Sequence, residues 1–392
     1  MLGKVPLKYN LRSLWVRRTG TLMTAVGIGL TVAVVLTMAA LVNGLVQTFV
    51  STGNSEDIVV LRKGSNVSES NSYFDRDLFQ TLRFLPEVAR DENQDPIAVG
   101  EVVVVIAHPR LTGETANVVL RGTTDQGFAM RPALSIVEGR MFREGVRELM
   151  ASTSLSNRFQ DMRVGDKLRI ASNDWNVVGL FDAGQTAYGS ELWGHYDDIA
   201  QAWQRPILSS VTLRSASGQA EQLIETVKTD DRLQLDAHRQ TDYYAAQSIS
   251  AAGITALGVF IAVVMGVGSC FAAMNMMFSA IMSRFKEIGT LRALGFKRRS
   301  ILLSFFIEAL LLALLGGICG ILLAVPIQTW AWMSGPMGSM NFMTFSEVTF
   351  NFRITPFIMM LGMIFSLVVG TVGGIIPAFR ASRIRLIEVL RD

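Results

Sequence analysis

Four long apolar runs constrain this sequence more than any other feature. They cover residues 21–47, 253–282, 301–325 and 355–377, and Glu308 is the single charged residue inside them. A helix needs about 20 apolar residues to cross a hydrocarbon core about 30 Å thick. Lipid offers the backbone no hydrogen-bond partner, and these runs are too long for barrel strands. The sequence therefore predicts four transmembrane helices.

The first run follows five basic residues, as the core of a cleaved signal peptide would. Its apolar stretch of about 26 residues is longer than the roughly 7 to 15 residues of a signal-peptide core. We therefore interpret residues 21–47 as a membrane anchor.

The charges predict an orientation. Residues 1–20 carry five basic and no acidic residues, residues 282–300 carry six and one, and residues 378–392 carry four and two. Residues 48–252 carry 20 basic and 28 acidic residues, a net charge of −8. Because basic residues accumulate in short cytoplasmic segments, both termini and the turn at 283–300 are predicted to be cytoplasmic. Residues 48–252 and the short loop 326–354 are then on the outer side.

Residues 48–252 have the pattern of a water-soluble domain. Short apolar stretches bounded by turn residues replace the continuous runs, which is typical of an α+β fold. Strand–helix–strand patterns occur at both ends, and the middle, about 125–205, has mostly strands and loops. The predicted fold class is an α-helical membrane protein with four transmembrane helices plus an α+β external domain, which has a βαβ half and an inserted β-rich half.

Composition excludes several classes of protein. A net charge of +3 from 36 basic and 33 acidic residues argues against nucleic-acid binding. Cys270 and Cys319 both lie in apolar runs, which argues against a disulfide framework or a thiolate metal site. The three histidines are isolated, and no catalytic constellation stands out. We predict no catalytic, metal or cofactor-binding residue, and no substrate-binding residue can be named.

The turn at 283–300 predicts a short amphipathic helix at the inner membrane surface. One face is apolar at helical spacing and the other is charged; the apolar side has Phe285, Ile288, Leu291 and Leu294, and the polar side has Arg284, Lys286, Glu287 and Arg292. Gly295 can end the helix in a left-handed conformation. The apolar face would bind either the bilayer interface or a groove on a cytoplasmic partner.

Two features inside the runs predict contacts between helices. A carboxyl group in lipid is costly, so Glu308 is a functional candidate; it would form a buried pair, link to the short helix, or extend to the inner interface. Small residues recur as Gly316-xxx-Gly320 and Gly370-xxx-Gly374. Such faces allow close approach, either within the bundle or in a dimer.

The residues of the turn resemble a known family. The run Lys286-Glu-Ile-Gly-Thr-Leu-Arg-Ala-Leu-Gly295, followed by Arg299, Ile301, Phe305 and Glu308, is similar to MacB/FtsX/LolC-type ABC transporter permeases. The tail segments 377–383 and 388–391, and the external segments 134–142, 164–166 and 177–180, also resemble that family. The resemblance covers the whole chain.

The resemblance implies a role for the short helix. It would be a coupling helix that docks on an ATP-binding subunit, with its contacts drawn from Arg284, Glu287, Ile288, Leu291, Arg292, Leu294 and Gly295. Glu308 would make a structural contact between helices. The sequence contains no GxxxxGK[ST] phosphate loop, so we expect no enzyme activity of its own, and ATP and Mg²⁺ are expected on separate ATPase subunits.

The function implied is that of an ABC transporter permease working by mechanotransmission. ATP hydrolysis in the cytoplasm would drive periplasmic rearrangement for export, extraction or transfer of a lipoprotein, lipid, peptide or drug. The expected location is the bacterial inner membrane. The expected partners are ATPase subunits, membrane lipid, and a second copy or a related permease, with a periplasmic adaptor or acceptor protein as a further candidate. The alternative is a membrane-anchored receptor or scaffold that senses a periplasmic ligand or activates a cell-wall hydrolase.

Overall fold

The computed structural model describes residues 12, 14–16, 18–65, 68–204, 207–230, 232–248, 250–294, 296–335, 337–341 and 346–382. The chain divides into two units. The first contains residues 1–43, 253–334 and 352–392, and the second contains residues 44–252 and 335–351. Most of the predicted N-terminal segment 1–20, the tail from residue 383 onward and Gly295 lie outside the described residues.

The described part of the first unit contains four long apolar helices and the short helix of the turn at 283–300. All four long helices are long and apolar enough to cross a membrane, which confirms the predicted transmembrane architecture. In chain order the helices of this unit are α1 (Arg18–Val50), α8 (Ser250–Met282), α9 (Phe285–Ala293), α10 (Arg298–Ser334) and α11 (Pro356–Ser382). The short helix α9 occupies the turn between α8 and α10.

Helix α10 is longer than the sequence predicts. The external loop was expected to begin at residue 326, but Pro326 lies inside the helix, which continues to Ser334. Proline removes one backbone donor, and transmembrane helices tolerate it because neighbouring helices and local adjustments compensate. The loop therefore begins about two turns later than expected.

Both small-residue motifs are used inside the bundle. A Cβ atom added at Gly316 would lie 2.6 Å from the side chain of Ile28, and one at Gly320 would lie 2.6 Å from that of Val32, so α10 packs closely on α1. On another face, Gly370 and Gly374 of α11 approach Ala313 and Ala309 of α10 with no room for a Cβ. These motifs thus allow close packing within the chain.

The second unit is a mixed α/β domain that confirms the predicted α+β class. It has short 3₁₀ turns at Glu69–Asn71 and Ala187–Ser190. Its helices are α2 (Arg76–Arg83), α3 (Asp125–Ala129), α4 (Thr153–Ser156), α5 (Tyr196–Ala202), α6 (Ala220–Thr229) and α7 (Gln240–Gln247). Its strands are β1 (Asp57–Arg62), β2 (Phe74–Asp75), β3 (Ala98–Pro109), β4 (Thr115–Thr123), β5 (Ser135–Gly139), β6 (Glu148–Ser152), β7 (Lys167–Ile170), β8 (Asn173–Asp182), β9 (Glu191–His195), β10 (Ile207–Leu208), β11 (Ser210–Arg214), β12 (Leu235–Arg239), β13 (Met337–Asn341) and β14 (Ser346–Phe350).

The two ends of the domain sequence form one half of this unit. Strands lie in the order β12-β1-β11-β3, and each neighbouring pair is antiparallel. Helix α2 lies between β1 and β3 in the chain, and α6 lies between β11 and β12. Each helix thus connects two strands separated by a third, which is the split βαβ arrangement of ferredoxin-like folds. Leu223 and Val227 of α6 are fully buried in its core.

The inserted strands continue the same sheet. The first part of β3 pairs with β11, and from Val102 onward β3 pairs with β4. Strand β4 then pairs in parallel with β9, and the path continues through β6 and β8 to β5. The long strand β3 therefore belongs to both halves. Its residues Val102–Ile106 are all β-branched, which favours an extended strand of this length.

Candidate functional site

Helix α9 packs into the bundle through its apolar side. Ile288 is only 3% exposed and belongs to a buried cluster from three long helices, made of Met277, Ile281, Ile288, Ile301, Phe305, Ala309 and Ala378. The sequence predicted Ile288 as a contact for an ATPase subunit. In this structure the Ile288 side chain is buried against α8, α10 and α11 instead.

The opposite side of α9 faces away from this cluster. Glu287 and Lys286 are exposed, and Leu294, directly after the helix, is 62% exposed. Leu291 and Arg292 lie in the helix, but their side chains and the whole of Gly295 are outside the described residues. Among the described side chains of this segment, the accessible surface is therefore polar at Lys286 and Glu287 and apolar at Leu294.

Glu308 is paired rather than exposed. Its carboxylate is 3.5 Å from the guanidinium of Arg284, which directly precedes α9. Glu308 itself is 3% exposed, and Arg284 is also 4.0 Å from Glu287. Of the three alternatives that the sequence left open, the structure places the carboxylate in a buried pair that joins α10 to the start of α9.

The second unit, called the outer domain from here on, contains a buried charge cluster. The cluster is centred on Arg121 of β4, which is 2% exposed. Its guanidinium lies 2.9 Å from Glu69, 2.9 Å from Glu101 and 2.7 Å from Glu191. Glu69 and Glu101 come from the ferredoxin-like half, and Glu191 begins β9 of the inserted half. One arginine therefore connects both halves of the domain.

The carboxylates of this cluster have further donors. Arg131 lies 2.7 Å from Glu101, which also accepts a hydrogen bond from Thr123. Burial alone would raise the pKa of Glu101, but the attraction of Arg131 and Arg121 outweighs it and lowers that pKa. Burial raises the pKa of the neighbouring Tyr188. Charges buried in this way persist only when they are paired and hydrogen-bonded.

A hairpin formed by β13 and β14 belongs to the same unit. It lies in the loop that joins α10 to α11 in the chain. The Glu347 carboxylate accepts a hydrogen bond of 2.5 Å from Arg110 and is also ion-paired with Arg158. Ser190 and Thr349 hydroxyls are 2.9 Å apart. All five residues of β14 are buried, so the hairpin is packed onto the domain.

One group of potential metal ligands occurs in the described part of the chain. Ligand atoms of Glu144, His195 and Asp197 lie within 4.8 Å of one another. Arg76, however, is 2.5 Å from the Asp197 carboxylate, and the Glu144 side chain is 74% exposed. A cation here would have to displace Arg76, so we interpret the group as an ion pair beside a histidine.

Neither the Arg121 cluster nor the Glu347 contacts were predicted from the sequence. Two local signals in the sequence nevertheless indicate buried charges at the cluster. Arg121 follows Val118-Val-Leu120, and Glu101 precedes Val102-Val-Val-Val105. A single charge within an apolar strand predicts a buried pair. Its partners were not predictable, since they lie up to 70 residues away in the chain.

Comparison with known proteins identifies two families. The MacB-like periplasmic core domain matches residues 21–229, more than half of the chain. The FtsX-like permease C-terminal domain matches residues 259–386. The crystal structure of the extracellular domain of the noncanonic ABC-type transporter YknZ from Gram-positive bacteria is similar over 46% of this chain and 99% of that chain, at 15% identity and a TM-score of 0.36.

Two curated relatives align over nearly the whole chain. The macrolide export ATP-binding/permease protein MacB of Hahella chejuensis is 24% identical over 96% of this chain, and the chain spans 59% of that relative's length. The uncharacterized ABC transporter permease YknZ of Bacillus subtilis is 23% identical over 98% of both chains. With two family models on the four-helix unit and the α/β domain, the chain belongs to the MacB/FtsX-type family of ABC transporter permeases.

Proposed function

We propose that this permease works by mechanotransmission, with α9 as its coupling helix. A cytoplasmic ATPase subunit would bind the exposed side of α9, around Glu287 and Leu294. The observation that carries the proposal is the attachment of α9 to α10, through buried Ile288 and the Arg284–Glu308 pair. A displacement of α9 is therefore passed to α10, because packed cores transmit strain.

The hairpin supports a route from these helices to the outer domain. It joins α10 to α11 in the chain, and Glu347, Arg110 and Arg158 hold it to the domain. A movement of α10 or α11 would then pull on the domain at β14. The buried Arg121 cluster supports the expectation that both halves of the domain respond as one body.

The partners follow from the family. We propose separate ATPase subunits that hold ATP and Mg²⁺, and a second copy of this chain or a related permease. A periplasmic adaptor or acceptor protein completes the assembly. The proposed location is the bacterial inner membrane, with both termini cytoplasmic and residues 48–252 periplasmic or extracellular. The basic residues that flank the helices support this orientation.

The substrate class is a lipoprotein, lipid, peptide or drug handled outside the membrane. Relatives named macrolide export proteins make a drug one member of this class. The close packing of α1, α10 and α11 through glycines argues against passage between these three helices of one copy, which supports work on a substrate in the periplasm or outer leaflet.

Co-expression and co-purification with a candidate ATPase subunit, followed by an ATPase assay, tests the coupling helix. Leu294→Asp should reduce recovery of the ATPase at least tenfold, because it charges the exposed leucine. Leu111→Asp is the matched control, since Leu111 is 57% exposed but lies after β3 in the outer domain. Wild-type recovery with Leu294→Asp would make the assignment wrong and favour a receptor or scaffold.

A labelling experiment tests the orientation. Ser217 lies in the turn between β11 and α6. In a variant with Cys270→Ala, Cys319→Ala and Ser217→Cys, an impermeant maleimide should label intact cells from outside. Labelling that requires broken cells would reverse the proposed topology.

A further inference from the structure

A cavity of about 390 Å³ lies in the outer domain, where the ferredoxin-like half meets the inserted half. Its lining comes from α2, from the start of β3, from β10 and from the segment around α3 and α5. Its size falls at the lower end of the range of small-molecule sites, about 300 to 1,000 Å³. We infer that this cavity binds a small organic anion with an apolar body.

The charge of the lining is the first argument. Arg76 and Arg83 line the cavity, and none of the described lining residues is acidic. Residues 48–252 as a whole have a net charge of −8. The charged residues of the cavity lining are thus all cationic, which is a local exception in an acidic domain. Such a cavity would attract an anion out of water.

The state of the two arginines is the second argument. Each has a buried Nε–H with no hydrogen-bond acceptor among the described residues. The Arg76 guanidinium is partly neutralised by Asp197 at 2.5 Å. Arg83 has no ion-pair partner in the described part of the chain, and its guanidinium lies over the rings of Phe79 and Phe84. An unpaired guanidinium is well suited to bind a carboxylate in a bidentate way.

The rest of the lining suits an apolar body. Phe79, Val99 and Leu208 contribute apolar surface, and the Tyr196 ring lies beneath the Arg76 guanidinium at 4.8 Å. Gln126 adds an amide at the wall. An aromatic or short acyl carboxylate would place its charge at Arg83 and its body against these side chains. This inference does not depend on an ATPase or on the direction of transport.

The experiment uses the full chain in phosphatidylcholine nanodiscs with 4-fluorobenzoate as the probe, followed by ¹⁹F NMR line broadening. Saturable binding of 4-fluorobenzoate is expected, and the neutral 4-fluorobenzamide should bind at least tenfold more weakly. Equal binding of both probes, or broadening that does not saturate or matches empty nanodiscs, would overturn the inference.

Variants locate the binding. Arg83→Gln should weaken 4-fluorobenzoate at least tenfold, and Arg232→Gln, at an exposed arginine outside the cavity, should leave it unchanged. If Arg83→Gln is misfolded by its thermal unfolding curve, Gln126→Glu replaces it, because this isosteric change adds a negative charge to the wall and should also weaken binding. Unchanged affinity in a folded variant at either position would refute the site.

Discussion

Glu308 of α10 lies 3.5 Å from Arg284, the residue directly before α9. The pair joins the short helix α9 to α10 at a point where both side chains are largely buried. Because a buried charge needs its partner, this contact fixes where α9 begins relative to α10. It is the polar counterpart of the apolar cluster around Ile288.

The first prediction concerns this pair. Arg284→Met would leave the Glu308 carboxylate without Arg284, and breaking a buried pair costs on the order of 3–5 kcal/mol. The thermal unfolding midpoint of the purified chain should fall. Arg284→Met combined with Glu308→Gln should recover most of the loss, because it also removes the buried Glu308 charge. If the double variant unfolds at the same temperature as Arg284→Met, the loss does not come from the Glu308 charge left without Arg284.

The second prediction separates the two sides of α9. Ile288→Asp places a carboxylate in the cluster around Phe305, so the chain should lose stability by several kcal/mol, about the size expected for an unpaired buried charge. Glu287→Lys changes an exposed side chain and should leave the unfolding midpoint within a degree or two. Thermal unfolding of both variants is the measurement.

The same two variants are then compared for ATPase binding. Glu287→Lys should weaken ATPase binding in spite of its normal stability, because it reverses a charge on the proposed docking surface. A stable Ile288→Asp would show that the side chain is not part of the bundle core. Wild-type ATPase recovery with Glu287→Lys would remove Glu287 from the docking surface.

The sequence predicted the parts of this molecule that depend on local pattern. The four long helices follow from the apolar runs. Helix α9 follows from the turn at 283–300, where apolar residues lie on one face and charged residues on the other at helical spacing. Pro326 misled the prediction, since proline usually ends a helix in water but is tolerated in lipid. The packing of Ile288 against α8, α10 and α11 was not predictable, because an apolar face does not tell which neighbour covers it.

The contacts between distant segments were not predictable. Arg110 and Glu347 are 237 residues apart, and strand order brings together side chains that no local pattern relates. The ferredoxin-like half was predicted as strand–helix–strand at both ends, but the continuous sheet through β3 was not. Register across β3 depends on which residues fill the core on both of its sides, and this is a property of the whole fold.

The third prediction tests the Arg121 cluster. Arg121→Met removes the guanidinium that contacts three buried carboxylates, so the domain should be destabilised by about 3–5 kcal/mol or more. Arg232→Met is the matched control, because Arg232 pairs with Asp230 from a fully exposed position, and exposed ion pairs contribute little to stability. Equal losses in thermal stability would contradict the structural role of the cluster.

The fourth prediction is a pH dependence. The folded-state pKa of Glu101 is lowered, so its ionised form stabilises the domain at pH values above its unfolded pKa of about 4.3. That contribution should disappear as the pH falls through the lower folded value. Thermal unfolding between pH 7 and pH 3 measures it. Glu101→Gln should be less stable at pH 7 but should lose less on acidification, and a parallel acid limb would contradict the prediction.

The fifth prediction concerns the hairpin. Ser190 and Thr349 have hydroxyl oxygens 2.9 Å apart, so the pair Ser190→Cys and Thr349→Cys, in a background with Cys270→Ala and Cys319→Ala, should form a disulfide on mild oxidation. The control pair is Ser217→Cys with Thr349→Cys. It should form no disulfide, because Ser217 lies in the turn between β11 and α6, whereas Ser190 is the residue that contacts Thr349. Mass spectrometry of proteolytic fragments detects the cross-link.

The activity of the cross-linked protein then tests how the hairpin works. If hairpin and domain move together, the oxidised protein should keep the ATP-driven transport activity of the assembled transporter. Glu347→Gln weakens the contacts to Arg110 and Arg158, so it should lower this transport activity while ATP hydrolysis is retained. Inactivation by the disulfide that is reversed by a reductant would mean that the hairpin must leave the domain during the cycle. The two results assign β14 either to a fixed arm that transmits movement or to a latch that opens.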